Sequence, residues 1–240
     1  MANLICAIDP LCEIYVARVA EDAFGIRPDR VAKAIEWARS NDVDIISMSF
    51  VLGESSKELF DEINAATNQG IVMTCSTHDE GSRVEKAWPA SYEGESVSLI
   101  VLAACDHYGR VLRHVEKDKY HYLIRGQNVA AGAIPFLTSE DTITGSSVST
   151  ALAAGISSLV LTCDRLAHPG KSYKGGVDEG SRYFIVKKHL NMMRSSEKTQ
   201  FVVLEKFGGI DSPRIAPSDG PGIPSVQSVL EDKFEMRQQR

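Results

Sequence analysis

The residues best suited to covalent chemistry lie in one stretch, Gly145–Gly155. Ser146 and Ser147 follow a glycine there, and we expect a small-residue loop that leads into an apolar helix over 156–166. A hydroxyl in a first helical turn lies beside free backbone N–H groups, where the helix dipole favours negative charge. This place suits a serine nucleophile, because its attack creates an oxyanion nearby. The alternative is that Ser146 or Ser147 only caps the helix.

The elements that must position this stretch are predicted from apolar periodicity. The run over 43–50 is almost continuously apolar, which is typical of a strand buried on both faces of a parallel sheet. Strands alternate with helices over short connections, so the sequence predicts βαβ units and one α/β domain. The expected strands are 13–19, 43–50, 71–76, 98–105, 120–124 and 201–204; the expected helices are 27–40, one from a cap at Ser55 or Ser56 to Gly70, and 182–193.

Composition restricts the classes of partner. The chain has 240 residues, of which 43% are hydrophobic and 24% charged, and this is enough for one large core. A net charge of -6 argues against a nucleic-acid partner, which would require a basic surface. No apolar run approaches the length of a membrane span, so no membrane partner is expected.

The cysteines predict buried thiols and no metal centre. Cys75, Cys105 and Cys163 each lie inside an apolar run, and the total of five is odd. Cys6 and Cys12 have no histidines at zinc-like spacing. No glycine-rich phosphate loop follows a predicted strand, so a nucleotide-binding domain is a weak alternative and no cofactor is expected.

The segment Gly145-Ser146-Ser147-Val148-Ser149, followed by Ala153-Ala154-Gly155, resembles the nucleophile motif G-[TS]-S-x-[SA] of the subtilisin-like serine proteases, or subtilases. Ser147 stands in the nucleophile position, and Ala151 replaces the family's usual proline. Four further pieces are similar to family motifs in the same order: Ile45–Ser49 to I-N-M-S, Gln69–Met73 to G-I-x-V-V, Trp88–Tyr92 to Y-P-A-x-Y, and Val101–Asp106 to V-G-A-x-D. The resemblance is strongest to fungal intracellular-type members.

The resemblance implies a three-layer α/β fold with a mostly parallel sheet. It covers residues 1–166, which would form a partial subtilase domain lacking the N-terminal strands and the His-bearing helix. Residues 167–210 would extend that domain, and 211–240, rich in Pro, Ser and Gly, would form a loose tail. The implied activity is serine-type endopeptidase, with an extended polypeptide as substrate.

Two groups of site residues follow from the resemblance. The backbone of Ser49, Phe50 and Val51 would pair with the substrate by strand addition, and the Val51 side chain would narrow a cleft where the family often has glycine. Asp79 stands where the family has the asparagine that donates to the oxyanion. An ionised carboxylate only accepts hydrogen bonds, so Asp79 would weaken that site unless it is protonated. The alternative is that Asp79 is an ordinary loop residue.

The sequence lacks the other two members of the catalytic triad. In the family, the catalytic Asp lies in the motif D-[ST]-G and the catalytic His in the motif H-G-T, and neither motif occurs here. Met1–Cys6 resembles the residues that follow H-G-T in the family. Asp9 precedes Pro10 and is predicted to be a loop residue with no catalytic role. In subtilisin, the family's type member, loss of the histidine alone lowers turnover by about 10⁶-fold. We therefore expect this chain to be inactive by itself. The alternative is a pseudoprotease that binds or regulates, with a partner covering the face that the missing elements leave.

Overall fold

A four-stranded parallel sheet forms the centre of the molecule. The computed structural model describes residues 1–21, 25–77, 86–92, 96–112, 119–130 and 142–206. The sheet has the order β1-β2-β3-β4, formed by Ile45–Met48, Val72–Ser76, Leu99–Cys105 and Tyr122–Arg125. A short antiparallel pair, β5 and β6, joins Val129–Ala130 to Thr142–Ile143. The helices α1 to α5 are Ala2–Ile8, Pro28–Ser40, Lys57–Asn68, Ser146–Ala167 and Arg182–Met192.

Helices cover both faces of this sheet. One core lies between the sheet and the apolar stripes of α2 and α3, and it includes Ile35 and Leu59. The other lies between the sheet and α4 and α5, and it includes Val160 and Leu190. Every residue of β2 and β3 is buried, as expected for parallel strands that are covered on both sides. The predicted three-layer α/β fold is confirmed.

Local sequence signals predicted the two ends of α3. The Ser56 side chain accepts a hydrogen bond from the Leu59 N–H at 3.2 Å, so Ser56 is the predicted cap of α3. Just past the end of α3, Gly70 has φ +75°, a conformation that favours glycine. Residues 201–204 do not form the expected strand: Phe201 and Val202 make isolated bridges before a short 3₁₀ turn. The predicted tail, 211–240, lies outside the described residues.

Helix α4 begins ten residues earlier than predicted. It runs from Ser146 to Ala167, so the expected loop over 145–155 is helical from its second residue onward. Alanine and serine fit closely against the sheet, and most residues of α4 are buried. With 22 residues and a mostly apolar composition, α4 is long and apolar enough to cross a membrane. Its burial within the fold explains this apolar character as that of a core helix.

Two strand predictions near the N-terminus are wrong. The segment 13–19 belongs to no strand, and its peptide groups make no backbone hydrogen bond with the described residues. A strand needs a neighbour to pair with, and a cavity of about 670 Å³ separates this segment from β1. The second error concerns β1, which was expected to be buried on both faces. In the part of the chain that the structure describes, β1 is the edge strand of the sheet, and Ser47 is exposed.

Candidate functional site

The first turn of α4 lies against the carboxyl ends of two neighbouring strands. The Ser147 hydroxyl donates to the carbonyl of Ser49, just after β1, at 3.1 Å. In return the Ser49 hydroxyl donates to the Ser147 carbonyl at 3.3 Å. The Ser146 hydroxyl donates to the carbonyl of Thr77, just after β2, at 3.0 Å. Both serines therefore lie at the edge of the sheet where ligands bind in open α/β folds.

Two glycines allow α4 to start at this place. Gly145 is the N-cap with φ +148°, which favours glycine, and its N–H donates to the Gly126 carbonyl at 2.9 Å. A Cβ on Gly126 would lie 2.7 Å from both the Ala104 Cβ and the Gly145 carbonyl oxygen. The Ser149 hydroxyl then fixes the turn by donating to the Ile124 carbonyl at 2.8 Å. Close backbone approach therefore sets the position of the first turn.

This geometry contradicts the capping alternative. The N-cap residue is Gly145, and no side chain caps the helix there. The hydroxyls of Ser146 and Ser147 reach across to other elements instead. Ser147 is half-buried, whereas Ser146 is buried. Ser147 is therefore the more accessible of the two hydroxyls.

The three predicted substrate-binding residues continue β1 towards Ser147. The N–H groups of Ser49 and Val51 make no backbone hydrogen bond within the described ranges, and the strand alternation turns them away from β2, so they are available for strand addition, whereas the Phe50 N–H faces β2. Peptide groups alternate along a strand, and the Asp44 carbonyl accepts from β2. The Phe50 carbonyl, six residues on, also faces β2, where it accepts from the Ser76 hydroxyl at 3.4 Å. The carbonyls of Ile45, Ser47 and Ser49 therefore face the open edge of β1.

The described histidines all have other partners. His121 Nδ1 accepts from the Val101 N–H at 3.1 Å, and the His107 ring lies 3.6 Å from that of Tyr108. His168 pairs with Asp164, and His189 Nδ1 lies 2.8 Å from the Ile185 carbonyl oxygen. None of these four contacts is with Ser147. The remaining two, His78 and His114, lie outside the described residues, as does Asp79, the predicted oxyanion-hole position.

Asp9, predicted to be a loop residue, is a buried anchor between α1 and α4. It follows the last residue of α1 and is 1% exposed. Its carboxylate accepts from the hydroxyls of Ser158 at 2.6 Å and Thr162 at 3.1 Å, both on α4, and from the Leu11 N–H at 3.1 Å. Asp9 therefore joins the end of α1 to α4, away from the first turn of α4.

Three of the five cysteines are buried thiols. Cys75, Cys105 and Cys163 are buried, as predicted. Burial raises the pKa of Cys105 to about 12 and that of Cys163 to about 11, so both thiols stay protonated and unreactive. Among the described residues no three potential ligands come together to hold a metal ion.

Sequence reasoning missed the partners of the two serine hydroxyls. Both are backbone carbonyls, which every residue carries, so no residue type could have indicated them. It also missed Thr77, whose own buried hydroxyl finds no hydrogen-bond partner among the described residues. A buried hydroxyl without a partner costs free energy, so Thr77 is an unusual residue at this edge of the sheet.

The fold and the site define an α/β domain with a half-buried serine hydroxyl at the carboxyl edge of a parallel sheet. The sequence model of the subtilase family matches residues 8–174, which is more than half of the chain. The chain therefore belongs to the subtilase family, the subtilisin-like serine proteases, and the predicted resemblance is confirmed.

Two relatives and two solved structures show how far the similarity extends. The subtilisin-like protease het-Q2 of Podospora anserina is 26% identical over 175 residues, covering 67% of this chain and 47% of that protein. The minor extracellular protease Epr of Bacillus subtilis (strain 168) is 23% identical over 128 residues, covering 53% and 19%. The chain thus spans less than half of either relative.

The structural similarity extends over most of the chain. The protease domain of PatA, solved as a mutant, has a TM-score of 0.61 at 13% identity and covers 86% of this chain and 78% of its own. The prenylagaramide maturation protease PagA has a TM-score of 0.59 at 18% identity, covering 78% and 69%. At these identities the two structures show the fold alone.

Proposed function

We propose that this chain is the nucleophile-bearing portion of a serine endopeptidase, with Ser147 as the nucleophile. One observation carries the proposal: the Ser147 hydroxyl lies in the first turn of α4 and donates a hydrogen bond to the carbonyl of Ser49, just after β1. Family membership supports hydrolysis of peptide bonds as the reaction. On this view Ser49–Val51 hold an extended polypeptide beside the hydroxyl by main-chain pairing.

We also propose that these 240 residues do not activate the hydroxyl. A serine hydroxyl needs a neighbouring base to take its proton, and a peptide carbonyl such as that of Ser49 accepts a hydrogen bond but is far too weak a base for this. The first-turn N–H groups and the dipole of α4 would still stabilise an oxyanion. Asp79 would add a donor only in its protonated form. The expected result is a peptide-binding edge with little turnover.

A serine-reactive fluorophosphonate tests this proposal. We expect the purified chain to label slowly, at the rate of an unactivated serine, because loss of the base costs about 10⁶-fold in subtilisin itself. The variant Ser147→Ala serves as the control, and intact mass with peptide mapping gives the site and extent of labelling. Prompt stoichiometric labelling of Ser147 would show that the chain does contain an effective base, and the inactivity proposal would then be wrong.

A different observation favours the alternative, a binding or regulatory module without catalysis. The cavity of about 670 Å³ is lined by the open side of β1, by 11–17 and by residues of α2 and α4. Leu11 is 77% exposed and Val16 is 79% exposed beside it, and large exposed apolar surfaces mark interaction sites. An extended, apolar polypeptide strand supplied by a partner fits this place, because it would pair with the free peptide groups of β1.

Hydrogen exchange separates the two functions. If the alternative holds, a partner that binds this face should slow amide exchange at Ile45 and Ser47, whether or not Ser147 is replaced by alanine. If the protease proposal holds, a peptidyl phosphonate should slow amide exchange at Ser49 and Val51, and it should bond covalently to Ser147 once a base is present. Protection of neither set of amides would exclude both modes of binding.

A further inference from the structure

Two cysteine thiols meet at the end of α1. The Sγ atoms of Cys6, in α1, and Cys12, in the following segment, are 3.9 Å apart. Both residues are half-buried, unlike the other three cysteines, which are buried. Solvent therefore reaches this pair, and the two sulfur atoms are already in van der Waals contact.

The chain between the two thiols is held in a fixed turn. The Cys12 N–H donates to the Asp9 carbonyl at 3.3 Å, which closes a β-turn with Pro10 at its second position, where proline is favoured. The Asp9 N–H donates to the Ile5 carbonyl at 3.0 Å, so the turn continues directly from α1. Because Asp9 is anchored to two hydroxyls of α4, the meeting of the thiols is built into the fold.

We propose that Cys6 and Cys12 are a redox site that forms a reversible intramolecular disulfide with a low-molecular-weight disulfide, such as oxidised glutathione, as the oxidant. One protein thiolate attacks the oxidant, forms a mixed disulfide and releases one glutathione thiolate. The second protein thiolate attacks the protein sulfur of that mixed disulfide and releases the other. The two protons from the protein thiols pass to the released thiolates, and two electrons reduce the oxidant.

The rate of this reaction should increase with pH. The pKa of the Cys12 thiol is raised to about 11, first by burial, then by the hydrogen bond and charge interaction with Cys6 and by the charge of Asp9. On α4, Cys163 is influenced by the same Asp9 charge, and its pKa is also raised to about 11, first by burial and then by Asp9, while Arg165 of α4 lines the same cavity as Cys12. Because the thiolate is the reacting form, any step that Cys12 limits should accelerate about tenfold per pH unit below its pKa.

The disulfide would fix one wall of the cavity beside β1. It would join α1, whose Leu4 packs on Val148 and Ala151 of α4, to the start of the segment 11–17. Among the described residues, the backbone hydrogen bonds of this segment are all with Asp9: the Cys12 N–H donates to its carbonyl and the Leu11 N–H to its carboxylate. Oxidation would therefore restrict the movement of the segment 11–17, which forms this wall of the cavity. This effect does not depend on the proposed catalytic role of Ser147.

The test incubates the full chain in glutathione buffers with an increasing share of oxidised glutathione. Each sample is then unfolded in the presence of a maleimide, which labels every free thiol, and intact mass gives the number of labels. The reduced chain should take up label on all five thiols. The oxidised chain should lose two labels, and peptide mapping should join Cys6 to Cys12. Closing so short a loop should also raise the thermal midpoint by about 5–10 °C, reversibly with dithiothreitol.

Three variants provide the controls. Cys6→Ser and Cys12→Ser should each prevent both the loss of labels and the shift in midpoint, whereas Cys163→Ser should leave both unchanged. A stable mixed disulfide at Cys6 or Cys12, a bond to Cys163, a disulfide-linked dimer, or five labels under oxidising conditions would each overturn the proposal. The mass measurement on the unaltered chain decides the outcome even if a variant fails to fold.

Discussion

Replacing Gly126 by alanine should destabilise the protein by displacing the first turn of α4. Gly126 accepts the Gly145 N–H at 2.9 Å, so it supports the residue from which α4 begins. An added Cβ would lie 2.7 Å from the Ala104 Cβ and the Gly145 carbonyl oxygen, and closer still to the Ser149 hydroxyl. Two of these neighbours cannot rotate away, because one is backbone and the other is a methyl group on a buried strand.

The magnitude follows from two opposing effects. Overpacking a close-packed site costs about 1–3 kcal/mol, because neighbouring backbone must move. Alanine also restricts the unfolded chain more than glycine does, which stabilises the folded state by about 0.4–1 kcal/mol. The net loss in free energy of unfolding should therefore be about 1–2 kcal/mol. For a domain of this size it corresponds to a decrease in the thermal midpoint of about 2–8 °C.

The matched control is Gly53→Ala, since a Cβ at Gly53 meets nothing within 4 Å. Urea unfolding followed by circular dichroism, with both variants measured beside the unaltered chain, gives the two free energies. Gly53→Ala should be neutral or slightly stabilising. If Gly126→Ala were as stable as Gly53→Ala, close approach of Gly126 to Gly145 could not be what positions α4 and Ser147.

Two further substitutions test how α1 is joined to α4. Asp9→Asn should lower the free energy of unfolding by about 1–2 kcal/mol, because the carboxylate accepts from Ser158 and Thr162 and charged acceptors make the stronger hydrogen bonds. Urea unfolding measures this loss, and an unchanged midpoint would contradict the prediction. Gly155→Val should lower the free energy of unfolding by about 1–3 kcal/mol, because a Cβ at this position would lie 3.0 Å from the Ile8 Cβ. Partial recovery of stability in the double variant with Ile8→Ala would confirm this contact as the cause, and an unchanged stability of Gly155→Val would refute it.

The parts of the fold that sequence predicted correctly are those governed by burial. β2 and β3 are covered on both faces, so each residue of the strand is apolar or small, and the run itself marks the strand. Helix α3 is similarly clear, because Ser56 caps its start and Gly70 follows its end. In each case the signal and the structural cause lie within the same few residues.

The errors come from features that depend on distant parts of the chain. The residues 13–19 have the composition of a strand, yet a strand requires a neighbour, and no residue within the segment encodes whether one is present. The start of α4 was placed too late, because Ser146–Gly155 contains small residues that occur in loops as well as in close-packed helices. Here, packing against the sheet decides the structure, and composition does not.

The direction of the Ser49 carbonyl indicates the side from which a base can reach the Ser147 hydroxyl hydrogen. Peptide carbonyls alternate in direction along β1, so the Ser49 carbonyl faces the open edge, like those of Ile45 and Ser47. The Phe50 carbonyl faces β2 and accepts from the Ser76 hydroxyl. The Ser147 hydroxyl donates to the outward carbonyl of Ser49, so its proton is on the open side of β1. A base on this side can replace that carbonyl as acceptor of the hydroxyl hydrogen without any rotation of the hydroxyl. Under the proposed function, a group that pairs with this edge of β1 would therefore also be placed to activate Ser147.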